Sequence, residues 1–395
     1  MPIHWTHGIV FVVVFCAVVD FLKILVEMLG RSEERVFTSD PSLVTAIIPC
    51  HNGAAQLPGT VADLAKHIPP DRILVIDDGS TDDTAAVAAA LGCQVHRFAR
   101  TKGKAAAINF AVYRVKTPYT LLLDDDTRLG ASRIPTSLLS RDGYDAVAFH
   151  VLPDRRNRGG SRGNNFLGAL QRYEYGKSME IGKRFHDVTY SVSCVSGAVG
   201  LFRTEDLDRY HEQHTGVFQA EDLQRTIIHL LNRRRIVFAN EPVWTVAPST
   251  LSQWFRQRLL GWYPGLYHQV PNFVRLMFQP RTSWRLRYEM AYNLYTLVSD
   301  PIKVWSLVAI AITPGLRSWG LAIYLLYLAF ETYPYLIVRV PGESRRRAPF
   351  LVWLLYPIYG ALNTLVRSVA LFVWLWFRFV TGSMRPRRGA KDRIE

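Results

Sequence analysis

The sequence predicts an α/β fold in which a soluble domain with a Rossmann-like, mostly parallel sheet is combined with amphipathic and transmembrane helices. Three observations support this prediction. From residue 42 onwards short apolar runs alternate with helical patterns, one apolar run ends in three consecutive carboxylates, and long apolar segments lie near both ends of the chain. Strands and helices that alternate at this spacing form right-handed βαβ crossovers, which build a parallel sheet.

The first half of the soluble domain contains four predicted strands and three predicted helices. The strands are expected at residues 44–49, 73–76, 95–97 and 121–123, and the helices at residues 54–67, 81–91 and 104–115. No G-x-G-x-x-G follows the first strand, so a dinucleotide site is not predicted. The second half has a Gly-, Asn- and Arg-rich loop at residues 155–165, a helix at 166–181 and an apolar run at 192–202.

Four apolar stretches approach or exceed the length of a bilayer crossing, at residues 8–29, 302–313, 319–338 and 349–380. The last is too long for one crossing, and Pro357 and Gly360 predict its division into two pieces. Residues 251–298 interleave aromatic side chains with arginines, which suits helices in the membrane interface. The predicted domains are an N-terminal transmembrane anchor (1–41), the soluble domain (42–250), the interface helices (251–298), C-terminal transmembrane helices (299–380) and a basic cytoplasmic tail (381–395).

The chain has a formal net charge of +14, from 47 Lys and Arg against 33 Asp and Glu. Arginine clusters at residues 345–347 and 385–388 adjoin apolar segments, so membrane lipids at a cytoplasmic surface explain the excess better than nucleic acid does. Arg31 and Arg35 follow the first apolar segment, and residues 1–8 contain no Lys or Arg. This asymmetry predicts an integral protein of the plasma (inner) membrane with the soluble domain in the cytoplasm. The four cysteines have neither disulfide nor zinc-ligand spacing.

Three carboxylates, Asp124, Asp125 and Asp126, directly follow the strand at residues 121–123. Three neighbouring anions are costly to bury without a cation, so they are expected at the exposed carboxyl end of the strand. Ligands collect at that edge of an open α/β sheet, and paired aspartates suit hard divalent ions that also hold phosphates. The alternative interpretation is a solvated acidic turn.

Two further signals favour a nucleotide pocket. Asp77 and Asp78 end the second strand beside Gly79, where carboxylates can accept from base or ribose donors, although the same residues also make an ordinary turn. Lys104 opens a helix, where the positive end of the dipole favours phosphate.

Two more signals favour group transfer next to a membrane. Glu221 and Asp222 begin a helix, where a carboxylate of raised pKa can act as a general base, or where the pair can serve only as a helix cap. Gln257, Arg258 and Trp262 offer an amide, a guanidinium fork and a flat apolar face. The alternative is a Trp that anchors the helix in the interface.

In this order the motifs, together with Gly-rich residues 196–200, resemble the inverting family-2 glycosyltransferases. Within that family the likeness is to the membrane-embedded synthases of the cellulose, chitin and hyaluronan type. It covers residues 44–262, with the transmembrane frame as looser support. The resemblance implies a GT-A fold, a nucleotide-sugar donor, in particular a UDP-sugar, and Mg²⁺ or Mn²⁺ as cofactor.

The resemblance also implies roles for individual residues. Asp222 would be the catalytic base that deprotonates the acceptor hydroxyl, and Asp124 and Asp126 would hold the metal. The nucleotide sugar would be bound by Pro49, His51, Asn52, Asp77, Asp78, Lys104, Asp124, Asp125, Gln257 and Arg258. The acceptor would be bound by Ser196, Gly197, Glu221 and Trp262.

The sequence departs from the family pattern at three places. The usual Q-x-x-R-W is Gln257–Trp262 with the sequence Q-R-L-L-G-W, the T-E-D triplet is here Ala220-Glu221-Asp222, and Gly53 stands where Glu often follows the Asn. The first departure bears on processivity and on diphosphate binding. The first interpretation is therefore a polysaccharide synthase, and the alternative is a single-transfer enzyme with a lipid acceptor such as a polyprenyl phosphate, diacylglycerol or ceramide-like molecule. The alternative that is not an enzyme is a non-catalytic, membrane-anchored binding or scaffold protein.

Overall fold

The computed structural model describes residues 3–154, 166–215, 220–338 and 348–381. The predicted loop at residues 155–165 and both arginine clusters that flank the last apolar segment lie outside the described residues. The strands are β1 (Val44–Cys50), β2 (Ile73–Asp77), β3 (Gln94–Arg97), β4 (Tyr119–Leu123), β5 (Ala146–Pro153), β6 (Val199–Arg203) and β7 (Ile236–Thr245).

All but the first of the twelve α-helices described up to residue 278 are short. The twelve are α1 (Ile3–Leu29), which precedes the domain, then α2 (Leu57–Leu64), α3 (Thr84–Ala90), α4 (Lys104–Val112), α5 (Ser137–Ser140), α6 (Phe166–Lys177), α7 (Arg184–Asp187), α8 (Thr204–Tyr210), α9 (Glu221–Leu231), α10 (Leu251–Gln257), α11 (Tyr263–His268) and α12 (Val270–Phe278). Three long helices complete the chain: α13 (Trp284–Ile312), α14 (Arg317–Ile337) and α15 (Phe350–Trp376). Single π-helical segments at Ser178–Lys183 and Arg258–Trp262 join α6 to α7 and α10 to α11.

The seven strands form one sheet in the order β3-β2-β1-β4-β6-β5-β7. The pairs β3–β2, β2–β1, β1–β4 and β5–β7 are parallel, and β6 runs antiparallel to both β4 and β5. The carboxyl ends of β1, β2 and β4 therefore meet at one edge of the sheet, together with the amino end of β6. The α/β fold with a mostly parallel sheet, predicted from the sequence, is confirmed.

The inner strands of the sheet are mostly apolar and buried. All residues of β2, β4 and β5 are buried, as expected for strands covered on both faces. Helices α2 and α4 contribute Leu57, Val61, Leu64, Ala107 and Ile108 to the same core. The loops after the strands are consequently the part of the sheet that a ligand can reach.

Within the described residues, four helices are long and apolar enough to cross a membrane, at His7–Leu29, Trp284–Ile312, Pro314–Ile337 and Phe350–Val380. Helix α13 runs without interruption through the predicted boundary between residues 298 and 299. The break predicted at Pro357 and Gly360 is wrong, because α15 is one continuous helix. Close packing around the proline holds the helix together, since the ring centroids of the preceding Tyr356 and of Tyr173 on α6 are 4.7 Å apart.

Candidate active site

The loops after β1 and β2 are tied to each other at the carboxyl edge of the sheet. The Asn52 side-chain oxygen accepts from the backbone N–H of Thr81 at 2.8 Å, and the Asn52 N–H donates to the Ser80 hydroxyl at 2.9 Å. His51 Nδ1–H donates to the carbonyl oxygen of Asp78 at 2.9 Å. Asn52 has φ of +55°, a left-handed conformation that Asn tolerates. His51 and Asn52 thus border one pocket with the end of β2.

Both aspartates of the second strand are buried and hold backbone in place. One Asp78 carboxylate oxygen accepts from Lys102 N–H at 2.6 Å and the other from Gly103 N–H at 2.9 Å. Asp77 accepts from Ser80 N–H at 2.8 Å. These contacts fix the loop that leads into α4. A role of Asp77 and Asp78 in nucleoside binding stays a prediction.

Asp124, Asp125 and Asp126 follow β4 and have different surroundings. The backbone N–H of Asp124 donates to Ala198 at 3.0 Å, which connects this turn to the start of β6. The Asp125 carboxylate accepts from the Cys50 thiol at 3.1 Å. Asp126 accepts from the Thr245 hydroxyl at 3.1 Å. All three residues are half-buried, so the turn lies at the surface of the sheet edge and remains accessible to a ligand.

Gly53 explains one departure from the family pattern. A Cβ atom at this position would lie 2.1 Å from the Asp125 carboxylate and 2.3 Å from Cys50 Sγ. No side chain fits there unless the Asp125 contact breaks. Glycine at residue 53 thereby lets the loop after β1 approach the turn after β4.

Lys104 connects the two acidic sequence motifs. Its ammonium lies 2.5 Å from an Asp124 carboxylate oxygen and 2.8 Å from a Glu221 carboxylate oxygen, and it donates to the carbonyl of Gly197 at 3.1 Å. Burial raises the pKa of Glu221, but the charge and hydrogen bond of Lys104 outweigh it, so that this pKa falls to about 2. Lys104 therefore brings Glu221 at the start of α9 next to the turn after β4.

Asp222 stands at the start of α9 and is half-buried, and its carboxylate contacts the Gly-rich turn before β6. One oxygen accepts from Gly197 N–H at 2.7 Å, and the other accepts from Leu223 N–H at 2.7 Å. Burial and, next, the charge of Glu221 raise the pKa of Asp222, while Lys104 opposes them. A carboxyl of raised pKa at an accessible edge of the sheet is suited to general-base work.

Asp124 and Asp126 are suitable ligands for a divalent cation. Burial raises the pKa of Asp124 to about 7, because the opposing charge of Lys104 does not fully offset it and the Asp126 carboxylate adds to it. Such crowded, incompletely neutralised carboxylates are hard oxygen donors, which Mg²⁺ and Mn²⁺ prefer. The residues present thus fit the predicted metal.

The Gln257–Trp262 motif is divided between two environments. The Arg258 side chain is fully buried, donates to Glu174 at 2.6 Å and to Asn363 at 3.1 Å, and lies over the Trp254 ring at 4.4 Å. Gln257 accepts from Arg258 at 3.2 Å. In this arrangement Arg258 links α6, α10 and α15, and a diphosphate would have to compete with Glu174 for it.

Trp262 instead lies toward the Asp222 side of the site. It is partly exposed, and its ring centroid is 6.0 Å from that of Tyr175. Burial is the largest cause of the raised pKa of the Tyr175 phenol. The nearby charges of Asp222 and Asp126 also raise it. This aromatic pair offers flat faces on which a sugar can stack.

A cavity of about 610 Å³ lies between the soluble domain and the long helices. Its wall is formed by α1, α6 with the π-helical segment that follows it, α13, α14 and α15, and it includes Cys194 and Tyr263. The charge of Asp222 acts on Cys194, so this end of the cavity is next to the predicted base. At the opposite end, a buried apolar cluster joins α1, α13 and α14; it consists of Ile9, Val10, Val13, Ile310, Leu316 and Ile323.

Most charged side chains of the cavity wall are paired. The paired cations are Lys23 with Glu27, Lys177 with Glu331, Lys303 with Asp20 and Arg367 with Asp300. Lys183 differs: it is 8% exposed, and its ammonium has no hydrogen-bond partner and no acid partner in the part of the chain that the structure describes. Burial lowers its pKa, and the charges of Cys194 and Asp222 oppose this.

The sequence interpretation missed Lys183, Tyr175 and Cys194. These residues belong to the helical region after residue 166 and to the run before β6, and their patterns look like ordinary packing. The motif residues from Pro49 to Asp126, Ser196, Gly197, Glu221 and Asp222 are brought to one edge of the sheet as predicted. Their individual roles stay predictions.

Comparisons with known proteins agree with this architecture. Residues 45–210 match the family model described as glycosyl transferase family 2. The succinoglycan biosynthesis protein ExoU of Rhizobium meliloti (strain 1021) is 36% identical over 116 residues, which are 28% of this chain and 34% of ExoU. The poly-beta-1,6-N-acetyl-D-glucosamine synthase of Staphylococcus epidermidis is 22% identical over 281 residues, which are 66% of this chain and 61% of the synthase.

The chain thus spans about a third to three-fifths of the length of these curated relatives. Among solved structures, the mannosyltransferase PcManGT from Pyrobaculum calidifontis, in complex with GDP-Man and Mn²⁺, superposes with a TM-score of 0.61 at 15% identity. The match covers 94% of this chain and 99% of that chain, so the fold extends to the helices that flank the soluble domain. At this identity the likeness concerns the fold alone.

Proposed function

We propose, from the premise that residues 45–210 form a family-2 glycosyltransferase domain, that the protein is an inverting glycosyltransferase. It takes a sugar from a nucleotide-sugar donor, in particular a UDP-sugar, and transfers it to an acceptor that enters from the membrane-side cavity. One observation carries this proposal. The half-buried Asp222 carboxylate is held by the Gly197 N–H at the same sheet edge as Lys104 and Asp124, and its charge reaches Cys194 on the wall of the cavity.

Inversion requires one in-line displacement at the anomeric carbon. Asp222 removes the proton from the acceptor hydroxyl, and its raised pKa gives it the basicity that this step needs. The Gly197 N–H orients the carboxylate, and Trp262 with Tyr175 offers a face on which the acceptor sugar stacks. The nucleotide leaves with the electron pair of the broken glycosidic bond, so no covalent enzyme intermediate forms.

Asp124 and Asp126 would hold Mg²⁺ or Mn²⁺, and the ion would supply charge neutralisation at the leaving diphosphate. Lys104 holds Asp124 and Glu221 in place from the other side. His51, Asn52, Asp77 and Asp78 would line the nucleoside end of the donor site, as the family resemblance implies.

The acceptor is best explained as a membrane lipid that carries an anionic group near the acceptor hydroxyl, for example a lipid-linked sugar phosphate. The unpaired Lys183 ammonium supports this, because a buried cation without a partner is stabilised by a bound anion. The apolar cluster at the far end of the cavity also supports it, since α1, α13 and α14 would have to separate before a polymer could pass. Arg258 is bound to Glu174, so it is not placed to hold diphosphate as the usual motif of the processive enzymes would. This also favours a single transfer to a lipid.

A growing polysaccharide is the second candidate acceptor, as first expected from the sequence. The observation that favours it is the match of 66% of this chain to a poly-beta-1,6-N-acetyl-D-glucosamine synthase. Both candidates place the protein in the plasma membrane with the soluble domain on the cytoplasmic side, where nucleotide sugars are available. Arg31 and Arg35, which follow α1, support that orientation.

The test is incubation of the purified protein with a panel of radiolabelled nucleotide sugars, Mg²⁺ or Mn²⁺ and a membrane-lipid extract. Products are separated by solvent partition and by size. A discrete labelled lipid supports the lipid acceptor, and a large polymer supports the polysaccharide. If no donor yields any product, while the protein remains folded, the glycosyltransferase proposal is wrong and the scaffold interpretation returns.

A further inference from the structure

Helix α15 remains in contact with the soluble domain and the short helices after it over most of its length. Tyr356 packs against Tyr173 on α6, and Tyr359 accepts from Trp254 on α10 at 2.9 Å. Further along, the Arg367 carbonyl accepts from Tyr267 on α11 at 2.6 Å, and Trp374 lies 6.4 Å from the same ring. From residue 356 to residue 374 an α-helix advances roughly 27 Å, nearly the thickness of the hydrocarbon core.

A helix that crosses the bilayer leaves a domain on one side after its first turns. The buried face of α15 instead packs across the neighbouring helices: Arg367 pairs with Asp300 in the middle of α13, and the Leu354 carbonyl accepts from Tyr324 on α14 at 2.5 Å. Val352, Tyr359 and Val366 belong to one apolar cluster with Met28, near the last residue of α1, and Val338, just after α14. The cluster at the opposite ends of α1, α13 and α14 contains no residue of α15.

The outward face of α15 is apolar along the whole helix. Its exposed residues recur at helical spacing and are Leu351, Ile358, Leu365, Val369, Phe372 and Trp376. The fully exposed face of a helix that borders water would carry charges, so this stripe requires an apolar covering. The helix is thus covered by protein on one side and by lipid on the other.

The charge pattern agrees with a helix that does not cross. Arg345, Arg346 and Arg347 precede α15 in the sequence, and six Lys or Arg residues follow it, at positions 378, 385, 387, 388, 391 and 393. Basic segments next to apolar helices remain on the cytoplasmic side. A crossing would place one of these two clusters outside, whereas a helix in the plane of the membrane leaves both inside.

We infer that α15 lies in the plane of the membrane, with its exposed stripe embedded among the acyl chains of the leaflet that faces the soluble domain, and that only α1, α13 and α14 cross. Tyr356, Gly360 and Arg367 of α15 line the cavity. In this arrangement α15 therefore forms the wall that separates the cavity from the lipid. The inference does not depend on which acceptor the enzyme uses.

Spin-label depth measurements in liposomes test the inference on the full-length chain. Single cysteines replace Leu351, Ile358, Leu365 and Phe372, and wild-type protein treated with the same spin label gives the background from the four native cysteines. A helix in the plane gives the same depth at all four positions. A crossing helix gives shallow ends and a deep centre, since Leu351 and Phe372 are roughly 31 Å apart along the axis, and that profile would overturn the inference.

Leu321→Cys, Leu325→Cys and Leu336→Cys on α14 provide the matched control, because the exposed face of a crossing helix must show depths that differ along its length. A second measurement uses an impermeant maleimide on sealed vesicles that carry Glu343→Cys or Lys391→Cys. Both cysteines react from the same side as a cysteine in the soluble domain if α15 lies in the plane. Reaction of position 391 from the opposite side contradicts the inference whatever the depth profile.

Discussion

The Asp222 carboxylate accepts the backbone N–H of Gly197 at 2.7 Å, which joins the start of α9 to the glycine-rich turn before β6. A Cβ at Gly197 would stand 3.1 Å from the Lys104 ammonium and 3.3 Å from the Asp222 carboxylate. A side chain at residue 197 would require the lysine and the base to shift by a few tenths of an ångström, so glycine leaves both groups in place. The glycine-rich turn thus contributes no reactive side chain, but its Gly197 N–H holds the Asp222 carboxylate in position.

Asp222→Asn is expected to lower turnover by about 10²–10⁴-fold, because the amide cannot take the acceptor proton. The amide oxygen can still accept from Gly197, so donor binding should be preserved. Steady-state kinetics and calorimetric titration with the active donor check both statements. Asp208→Asn, at an exposed position of α8, is the control. A fully active Asp222→Asn would show that another group is the base.

The acid limb of the pH–activity profile is expected above the ordinary Asp value, because burial and the Glu221 charge raise the pKa of Asp222. The base must be ionised, so activity falls as the pH drops through this raised pKa. Glu221→Gln removes one negative charge next to Asp222 and should move the limb to lower pH. An unchanged limb in Glu221→Gln would mean that Asp222 does not control it.

Chelation of divalent cations is expected to abolish transfer, and added Mg²⁺ or Mn²⁺ to restore it. Asp126→Asn should weaken this rescue by 10-fold or more, since a carboxylate is a far better ligand for a hard cation than an amide oxygen. Mn²⁺ binding, followed by electron paramagnetic resonance, gives a readout that does not require activity. Asp83→Asn, on an exposed loop, is the matched control. Unaltered Mn²⁺ binding in Asp126→Asn would contradict the assignment.

Arg258→Ala is expected to lower stability by about 3–5 kcal/mol, because it leaves the Glu174 carboxylate without its buried partner. The KM for the donor should change little, since the guanidinium faces α6 and α15. Thermal unfolding in detergent and donor kinetics measure the two effects. Arg256→Ala, at an exposed position two residues away on the opposite side of the helix, should alter neither. A large rise in donor KM without loss of stability would restore the diphosphate role predicted from the motif.

The sequence was informative where chemistry follows the order of the strands. Asp124 and Asp126 lie at the end of β4, and Asp222 begins α9, because a parallel sheet brings such positions to one edge. It was less informative where partners come from distant segments. The pairing of Arg258 with Glu174 joins residues 84 positions apart, and neither residue type indicates that the other is near.

The long helices also depend on contacts between distant segments that the sequence does not predict. Proline at residue 357 predicts a break, but contacts of α15 with α6 and α14 outweigh the lost hydrogen bond. Hydropathy alone also makes α15 equivalent to the three other long helices. Only the positions of its contacts distinguish it.

Lys183→Met is expected to raise stability and to weaken acceptor use. In the free protein the Lys183 ammonium is buried without a partner, which is unfavourable, so an apolar side chain of similar length should increase the unfolding temperature. A charge-assisted hydrogen bond contributes about 1.5–3 kcal/mol, so loss of the contact to an anionic acceptor should raise the acceptor KM by roughly 10-fold to 100-fold. The donor KM should not change. Lys183→Arg preserves the charge and should recover part of the acceptor affinity.

Lys177→Met is the matched control for that prediction, because Lys177 lines the same cavity but is paired with Glu331. Its substitution leaves the buried Glu331 carboxylate without its cation, with the Tyr173 hydroxyl as a remaining hydrogen-bond donor, and should lower the unfolding temperature rather than raise it. Opposite changes in stability at two lysines of one wall would therefore distinguish an ion-pair residue from a ligand residue. If Lys183→Met is stabilised but its acceptor KM equals that of the wild type, the unpaired lysine has no part in acceptor binding, and a neutral acceptor becomes the better hypothesis.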